Sequence, residues 1–375
     1  MGNNPIIRLA KPYFDEDELN EVKSVLDSGY LTQGPKVEKF EQMVADYVGT
    51  KHAIATTSAT TALHLSLVAL GVTQGDEVLV PDFTFPATAN VVVQQGAKPV
   101  LVDIDLTTFT VNIDDLKRKV TSRTKVIMPV HAFGLSADMN PILELARAKD
   151  LKVIEDAACA IGTTYYGKRC GGLGTTGCFS FHPRKVITTG EGGMITTNDE
   201  QLAEKMRMLR SHGGKKINAY YQYELAGFNY RLSDVQAAIG IAQMRKLDRL
   251  LARKRKLADQ YSLMLKDTKE IIVPKELIWG GHIYQSYVIM LYDTIDRDKV
   301  IELMKQKNIE TTLGTYALHA QPFYSKLYIY KMGELPNSYL AFCQSLTLPL
   351  YDQMNEDDLL LVVNVLKEVL PRCRK

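Results

Sequence analysis

The sequence predicts an α/β fold, with a mainly parallel mixed sheet in a large domain and a smaller α+β domain at the C-terminus. Three observations predict it. Short apolar runs alternate with helical stretches through the first two thirds of the chain, one long helical stretch follows, and strand-like runs resume beyond it. Short strands separated by helices need crossover connections, which favour parallel pairing with both faces of the sheet covered.

In chain order, a helix containing Phe40 and Glu41 follows Leu31-Thr32-Gln33-Gly34-Pro35, and the first strand is expected at 53–57. Ser58, Ala59 and Thr60 then open a helix over 59–70, Ser and Thr being routine N-caps. A strand at 77–81, a helix at 86–95 and a strand at 98–103 come next, followed by a strand at 125–131, a helix at 140–149 and a strand at 152–155. Two more strands, 177–181 and 193–197, flank a glycine-rich turn. The long helix is expected at 233–266, leading into strands at 271–274 and 287–291. Placing the boundary inside that helix gives a large domain over 1–250, with an N-terminal arm, and a small α+β domain over 251–375. The chain shows no internal repeat and no low-complexity linker.

Composition narrows the class. At 375 residues the chain allows two or three domains, and 46% hydrophobic residues can fill a sizeable core. A formal charge of +2 gives no reason to expect nucleic acid or a membrane as partner. The basic run 253–256 lies in a helical stretch and reads as a solvated face. Residues 1–6 lack a signal sequence, and Ile6 stands where a myristoylation motif needs Ser or Thr. No apolar run approaches the roughly 18 residues of a membrane span. The cysteines, Cys159, Cys170, Cys178, Cys343 and Cys373, are odd in number and form no CxxC pair, which favours free thiols and a cytoplasmic location.

The chemistry centres on residues 178–193, where Lys185 stands between a short apolar strand and a glycine-rich turn. Upstream, Glu155-Asp156-Ala157-Ala158 sets an acidic pair at the end of a buried strand. A lysine that can form an imine and a carboxylate that can keep a ring nitrogen protonated are two parts of a pyridoxal 5'-phosphate (PLP) site. Either residue alone is unspecific, since lysines are usually solvated and strand-end acids often cap helices. The Ser58-Ala59-Thr60 turn follows a strand and opens a helix, so its N–H groups suit an anion such as the cofactor phosphate, an ordinary N-cap being the plain alternative. Ser180 lies between Phe179 and Phe181, which argues for buried surroundings and a hydroxyl available to the same phosphate.

These segments come with others in a fixed order: Thr57-Ser58-Ala59-Thr60-Thr61-Ala62-Leu63, Gly75-Asp76-Glu77-Val78, Phe83-Thr84-Phe85-Pro86-Ala87-Thr88-Ala89, Gly96-Ala97-Lys98-Pro99-Val100 and Gly227-Phe228-Asn229-Tyr230-Arg231. Together they resemble the DegT/DnrJ/EryC1/StrS family of PLP-dependent aminotransferases, mostly enzymes of nucleotide-linked keto-sugars. The resemblance runs nearly end to end and implies the PLP-dependent transferase fold type I. It implies that Lys185 is the catalytic lysine, joined to PLP as an imine, and that Asp156 faces the pyridine nitrogen. Ala59, Thr60 and Ser180 would hold the phosphate, and Phe85 would lie against the cofactor ring. Asn229 matches a residue that reaches the phosphate of the neighbouring subunit from a loop, which implies a homodimer with shared active sites. Cys159 is a departure, because the family usually places Gln or His there, against the ring hydroxyl. A thiol bonds weakly, so that contact is lost, supplied by water or tuned.

The resemblance implies transfer of an amino group from glutamate to a nucleotide-linked keto-sugar by a ping-pong mechanism, in amino-sugar or polysaccharide biosynthesis. A 4-keto-6-deoxy sugar is the first expectation; a 3-keto sugar or a keto-cyclitol is the alternative. Tyr316 and His319 are candidates for contact with the acceptor. Related dehydratases carry His at the lysine position; here that position is filled by Lys185, and His182 lies outside it.

Two readings from other classes are weaker. Gly172-Leu173-Gly174-Thr175-Thr176-Gly177 satisfies the dinucleotide pattern G-x-G-x-x-G, but an aromatic, strand-like segment follows where a helix should hold the pyrophosphate. A non-catalytic regulator binding PLP or a sugar nucleotide would have no use for the reactive lysine. No metal is expected, Asp103-Ile104-Asp105 being set aside as a chance pattern.

Overall fold

The computed structural model describes residues 6–218, 220–328, 330 and 333–375. The first five residues, on which most of the reading of 1–6 rests, lie outside this set. Seven strands form the main sheet: β1 (His52–Thr56), β2 (Glu77–Pro81), β3 (Lys98–Val102), β4 (Thr124–Ile127), β5 (Lys152–Asp156), β6 (Thr176–Ser180) and β7 (Gly193–Thr197). Their order across the sheet is β1-β7-β6-β5-β4-β2-β3. Strand β7 pairs antiparallel with β1 and β6, and every other pairing is parallel. Strands β2, β6 and β7 are buried along their whole length, as a sheet covered on both faces requires.

Most predicted strands fall within a residue or two of these spans. The expected strand at 125–131 is continuous only to Ile127, Pro129 having no N–H for the ladder, and pairing with β5 resumes as a bridge between Val130 and Asp156. The expected strand at 271–274 pairs only over Ile271–Ile272, with Pro274 just beyond.

The long helix runs from Asp234 to Leu265 and starts at a capping box between Ser233 and Gln236. Its first residue also serves a second helix. The Asp234 carboxylate accepts from the N–H groups of Gly34, Lys36 and Val37 at 2.8, 3.2 and 3.0 Å, capping the helix Pro35–Val48. Gly240 lets the two helices close on Phe40, since a Cβ there would lie 2.7 Å from that ring. Phe40 in turn meets Phe181 at a centroid distance of 5.0 Å, so this helix pair backs the segment that carries Lys185.

The first half of the long helix, through Ile241 and Leu247, packs into the core of the main sheet. Its second half, through Leu257, Tyr261 and Leu265, belongs to another core. That core is closed by the helix Glu356–Val369 and an antiparallel sheet of β8 (Ile271–Ile272), β9 (Tyr287–Leu291) and β10 (Ser345–Leu348). No described helix is long and apolar enough to cross a membrane, and all five cysteines are free thiols.

Candidate active site

The parallel strands end along one edge of the sheet, and β7 begins there, so the turns after β1, β2, β5 and β6 converge at that edge. Asp156 closes β5 and Ser180 closes β6. Gly193, at the start of β7, pairs with Ser180 on one side and Thr56 on the other. The sequence candidates Ala59, Thr60, Phe85, Asp156, Cys159, Ser180 and Lys185 all lie on these strand ends and the turns that follow them.

Lys185 sits in a turn built by its own neighbours. The Lys185 N–H donates to the His182 carbonyl at 2.8 Å, and the Arg184 N–H donates to His182 Nδ1 at 3.2 Å, so His182 shapes the turn. Further along, the Thr188 hydroxyl and the Thr189 N–H both donate to the Phe181 carbonyl. The Lys185 amine is part-buried and donates to Cys159 Sγ at 3.0 Å. The thiol at the departure position is therefore a direct neighbour of the lysine.

Asp156 is 5% exposed and its carboxylate has two protein donors, the Thr88 hydroxyl at 2.8 Å and the Ala158 N–H at 3.2 Å. Burial pushes its carboxyl above the ordinary value, against those two bonds and the charge of Lys185. Its sequence neighbour Glu155 faces the other way, as alternation along a strand demands. Glu155 is fully buried and accepts from the N–H groups of Gly171, Leu173 and Gly174, each at 2.7 Å. It is also 2.9 Å from His131 Nε2, whose Nδ1 accepts from the Ala137 N–H and so leaves Nε2 to donate. The glycine-rich loop thus wraps a carboxylate of its own chain. A strand follows it, as expected, and no helix.

At the start of the helix Ala59–Ala69, Ser58 and Thr61 form a capping box. The cap and the anion readings fall on different residues. Ser58 satisfies Thr61, whereas the Ala59 and Thr60 N–H groups have no acceptor among the described residues. Gly193 passes so close that a Cβ would lie 2.3 Å from the Ser58 carbonyl. Ser180, 9% exposed, stands beside it with only a long 3.4 Å bond from the His182 N–H. Two open N–H groups at a helix start, an underused hydroxyl, a buried carboxylate and an amine fit the phosphate, ring nitrogen and aldehyde of PLP.

Phe85 is 65% exposed, which a core role would not allow. Tyr316–Ala317 pairs with Phe83–Thr84 just before it, and His319 is anchored to the buried Asp82 through both its N–H, at 2.7 Å, and Nδ1, at 2.6 Å. Asn229 is exposed, bridged through its backbone to Ser211, in a segment whose Tyr230 carbonyl accepts from the Thr57 N–H. Sequence reading missed three contributors: Thr88, Glu155 and Gln285, which bonds to the backbone on both sides of Lys185. Thr88 lies within a quoted motif and Glu155 beside Asp156, so both were at hand; nothing near Gln285 in the sequence points to position 185.

Comparison with known proteins identifies the family. The model of the DegT/DnrJ/EryC1/StrS aminotransferase family matches residues 12–367. GDP-perosamine synthase of Caulobacter vibrioides is 42% identical, over 99% of this chain and all of the relative. Among solved structures, the Streptococcus pneumoniae protein Spr1654 in its PLP-form superposes with a TM-score of 0.94 at 27% identity, covering 98% of this chain and 99% of that one. The aminotransferase TlmJ from Streptoalloteichus hindustanus gives 0.92 at 31% identity, covering 98% and 99%.

Proposed function

Because this chain belongs to the DegT/DnrJ/EryC1/StrS family of PLP-dependent aminotransferases, we propose that it moves an amino group from glutamate to a nucleotide-linked keto-sugar, and that Lys185 and Asp156 do the central chemistry. The observation that carries this reading is that the Lys185 amine, on Cys159 Sγ, and the buried Asp156 carboxylate lie at the same edge, where the strand ends converge. The likeness to GDP-perosamine synthase supports a nucleotide-linked acceptor, with a 4-keto-6-deoxy sugar as the first candidate.

In this reading Ala59 and Thr60 hold the cofactor phosphate with their N–H groups, and Ser180 adds its hydroxyl. Phe85, whose side chain is exposed, would lie against the cofactor ring. Asp156 keeps a negative charge at the ring nitrogen. Bound PLP supplies a carbonyl carbon for amines and a ring that accepts electrons from it. Lys185 Nζ would hold the cofactor at rest and, once freed by the donor amine, would act as base toward the donor α-carbon and then as acid toward the cofactor C4′ carbon. Cys159 lies within bonding distance of that amine and would steady it whenever it is free of the cofactor. Asn229 serves the phosphate of a second copy, which makes the working unit a homodimer.

The test is an absorption spectrum of the purified protein, taken before and after glutamate and then with candidate keto-sugar nucleotides, beside Lys185→Ala. The visible band should bleach with glutamate and return with one sugar, and Lys185→Ala should lose turnover while staying folded. Turnover retained by Lys185→Ala would overturn the assignment.

A further inference from the structure

Resting on that role for Lys185, we propose that Gln285 is its positioning residue, a buried amide that clamps the peptide groups on both sides of Lys185 and so aims the amine. Gln285 Oε1 accepts from the Val186 N–H at 3.0 Å, and Gln285 Nε2 donates to the Arg184 carbonyl at 2.6 Å. One side chain thus replaces the strand neighbour that residue 185, in a turn, does not have. Gln285 is 6% exposed, and its bond from the Val186 N–H is buried.

Gln285 is itself held. It lies two residues before β9, on a segment whose Ile283 N–H donates to the Gly134 carbonyl at 3.0 Å and whose Ser286 N–H donates to the Phe133 carbonyl at 3.4 Å. Gly134 has a φ of +95°, and a Cβ there would lie 2.9 Å from the Gln285 nitrogen and 3.2 Å from the Cys159 carbonyl. The clamp and the thiol that meets the lysine amine are therefore set against one turn. A lysine amine rides on four methylenes, so a small rotation of the peptides at its root becomes a large displacement at its tip. A misplacement of about 1 Å is enough to cost roughly a hundredfold in rate.

Gln285→Met removes both bonds at similar volume, and Gln285→Glu keeps the acceptor for Val186 but turns a carboxylate oxygen onto the Arg184 carbonyl. In the glutamate half-reaction we expect Gln285→Met to lower kcat about 10- to 100-fold with the donor KM within about threefold, and Gln285→Glu to lower it at least as far. A structural role alone would not give the second result, which concerns the cofactor. PLP affinity, measured by titrating cofactor-free protein, should fall about tenfold for Gln285→Met when Lys185 is present and less than about twofold in a Lys185→Ala background. An unchanged kcat, or equal losses of PLP affinity in the two backgrounds, would overturn the proposal. If Gln285→Met does not fold, Gln285→Glu decides by the same two readouts. Turnover in Lys185→Ala alone would instead remove the premise.

Discussion

Thr88→Val isolates one bond of the buried acid. Thr88 is 1% exposed and its hydroxyl gives Asp156 the shorter of its two protein hydrogen bonds, 2.8 Å against 3.2 Å, while meeting Thr84 Oγ1 at 3.0 Å. Valine keeps the shape and removes the donor. A hydrogen bond to a charged group contributes about 1.5–3 kcal/mol, and that amount should be lost whenever Asp156 is ionised. The sign of the pH dependence follows. Because burial raises the folded carboxyl above its ordinary 3.8, its contribution to stability is full below that value and is lost as pH rises through the folded value. Without Thr88 the folded value rises further, so the loss continues to higher pH. The stability gap between parent and variant, read from urea midpoints of cofactor-free protein, should therefore be small near pH 4 and widen to about 1.5–3 kcal/mol at neutral pH. With cofactor bound, a carboxylate less willing to stay charged should slow the glutamate half-reaction roughly 10- to 100-fold, the same energy read as a rate. A gap that is flat with pH, together with an unchanged half-reaction, would refute the reasoning.

Gly193→Ala places a Cβ 2.3 Å from the Ser58 carbonyl and 2.7 Å from the Ala59 nitrogen, backbone atoms that cannot swing aside. We expect a stability loss of about 1–3 kcal/mol and at least a tenfold weaker PLP titration, and unaltered affinity would mean that this helix start does not hold the phosphate. Lys254 is 6% exposed, with the Leu350 carbonyl 3.0 Å from its amine, and burial brings it down to about 8 against the opposing charge of Asp352. Between about 8 and 10.5 the unfolded chain keeps this proton and the folded chain does not, so stability rises with pH there, and below 8 the cost is about 3 kcal/mol. Lys254→Met removes that cost but strands the carbonyl at about 1–3 kcal/mol, giving a net gain of up to about 2 kcal/mol at pH 7 that fades by pH 10. Equal denaturation midpoint shifts at both pH values would count against it.

The sheet was legible because its strands are short apolar runs set between helices, a local pattern. The end of β4 was not, since an apolar run continues past Ile127 and the missing N–H of Pro129 interrupts the pairing before it resumes at Val130. Around the site, Lys185, Asp156 and the Ser58–Thr60 turn were legible because each stands where a strand meets a turn. What escaped depends on contacts far apart in the chain. Gln285 meets the lysine peptide across 99 and 101 residues, and the Glu155 carboxylate is enclosed by a loop that in sequence resembles a nucleotide cradle. A glycine pattern states that backbone N–H groups are close together, but not which anion they enclose.

Asp156 has a consequence for how long the protein survives. When ionised, its carboxylate, sparsely bonded and out of water, costs the fold stability, and a ligand bearing a positive ring nitrogen would offset that cost. Whatever binds the folded chain and not the unfolded one stabilises it in proportion to the logarithm of its concentration. The residue that makes the site reactive would thereby tie the lifetime of each molecule to the supply of vitamin-derived cofactor, so that idle copies are the first to unfold and be cleared.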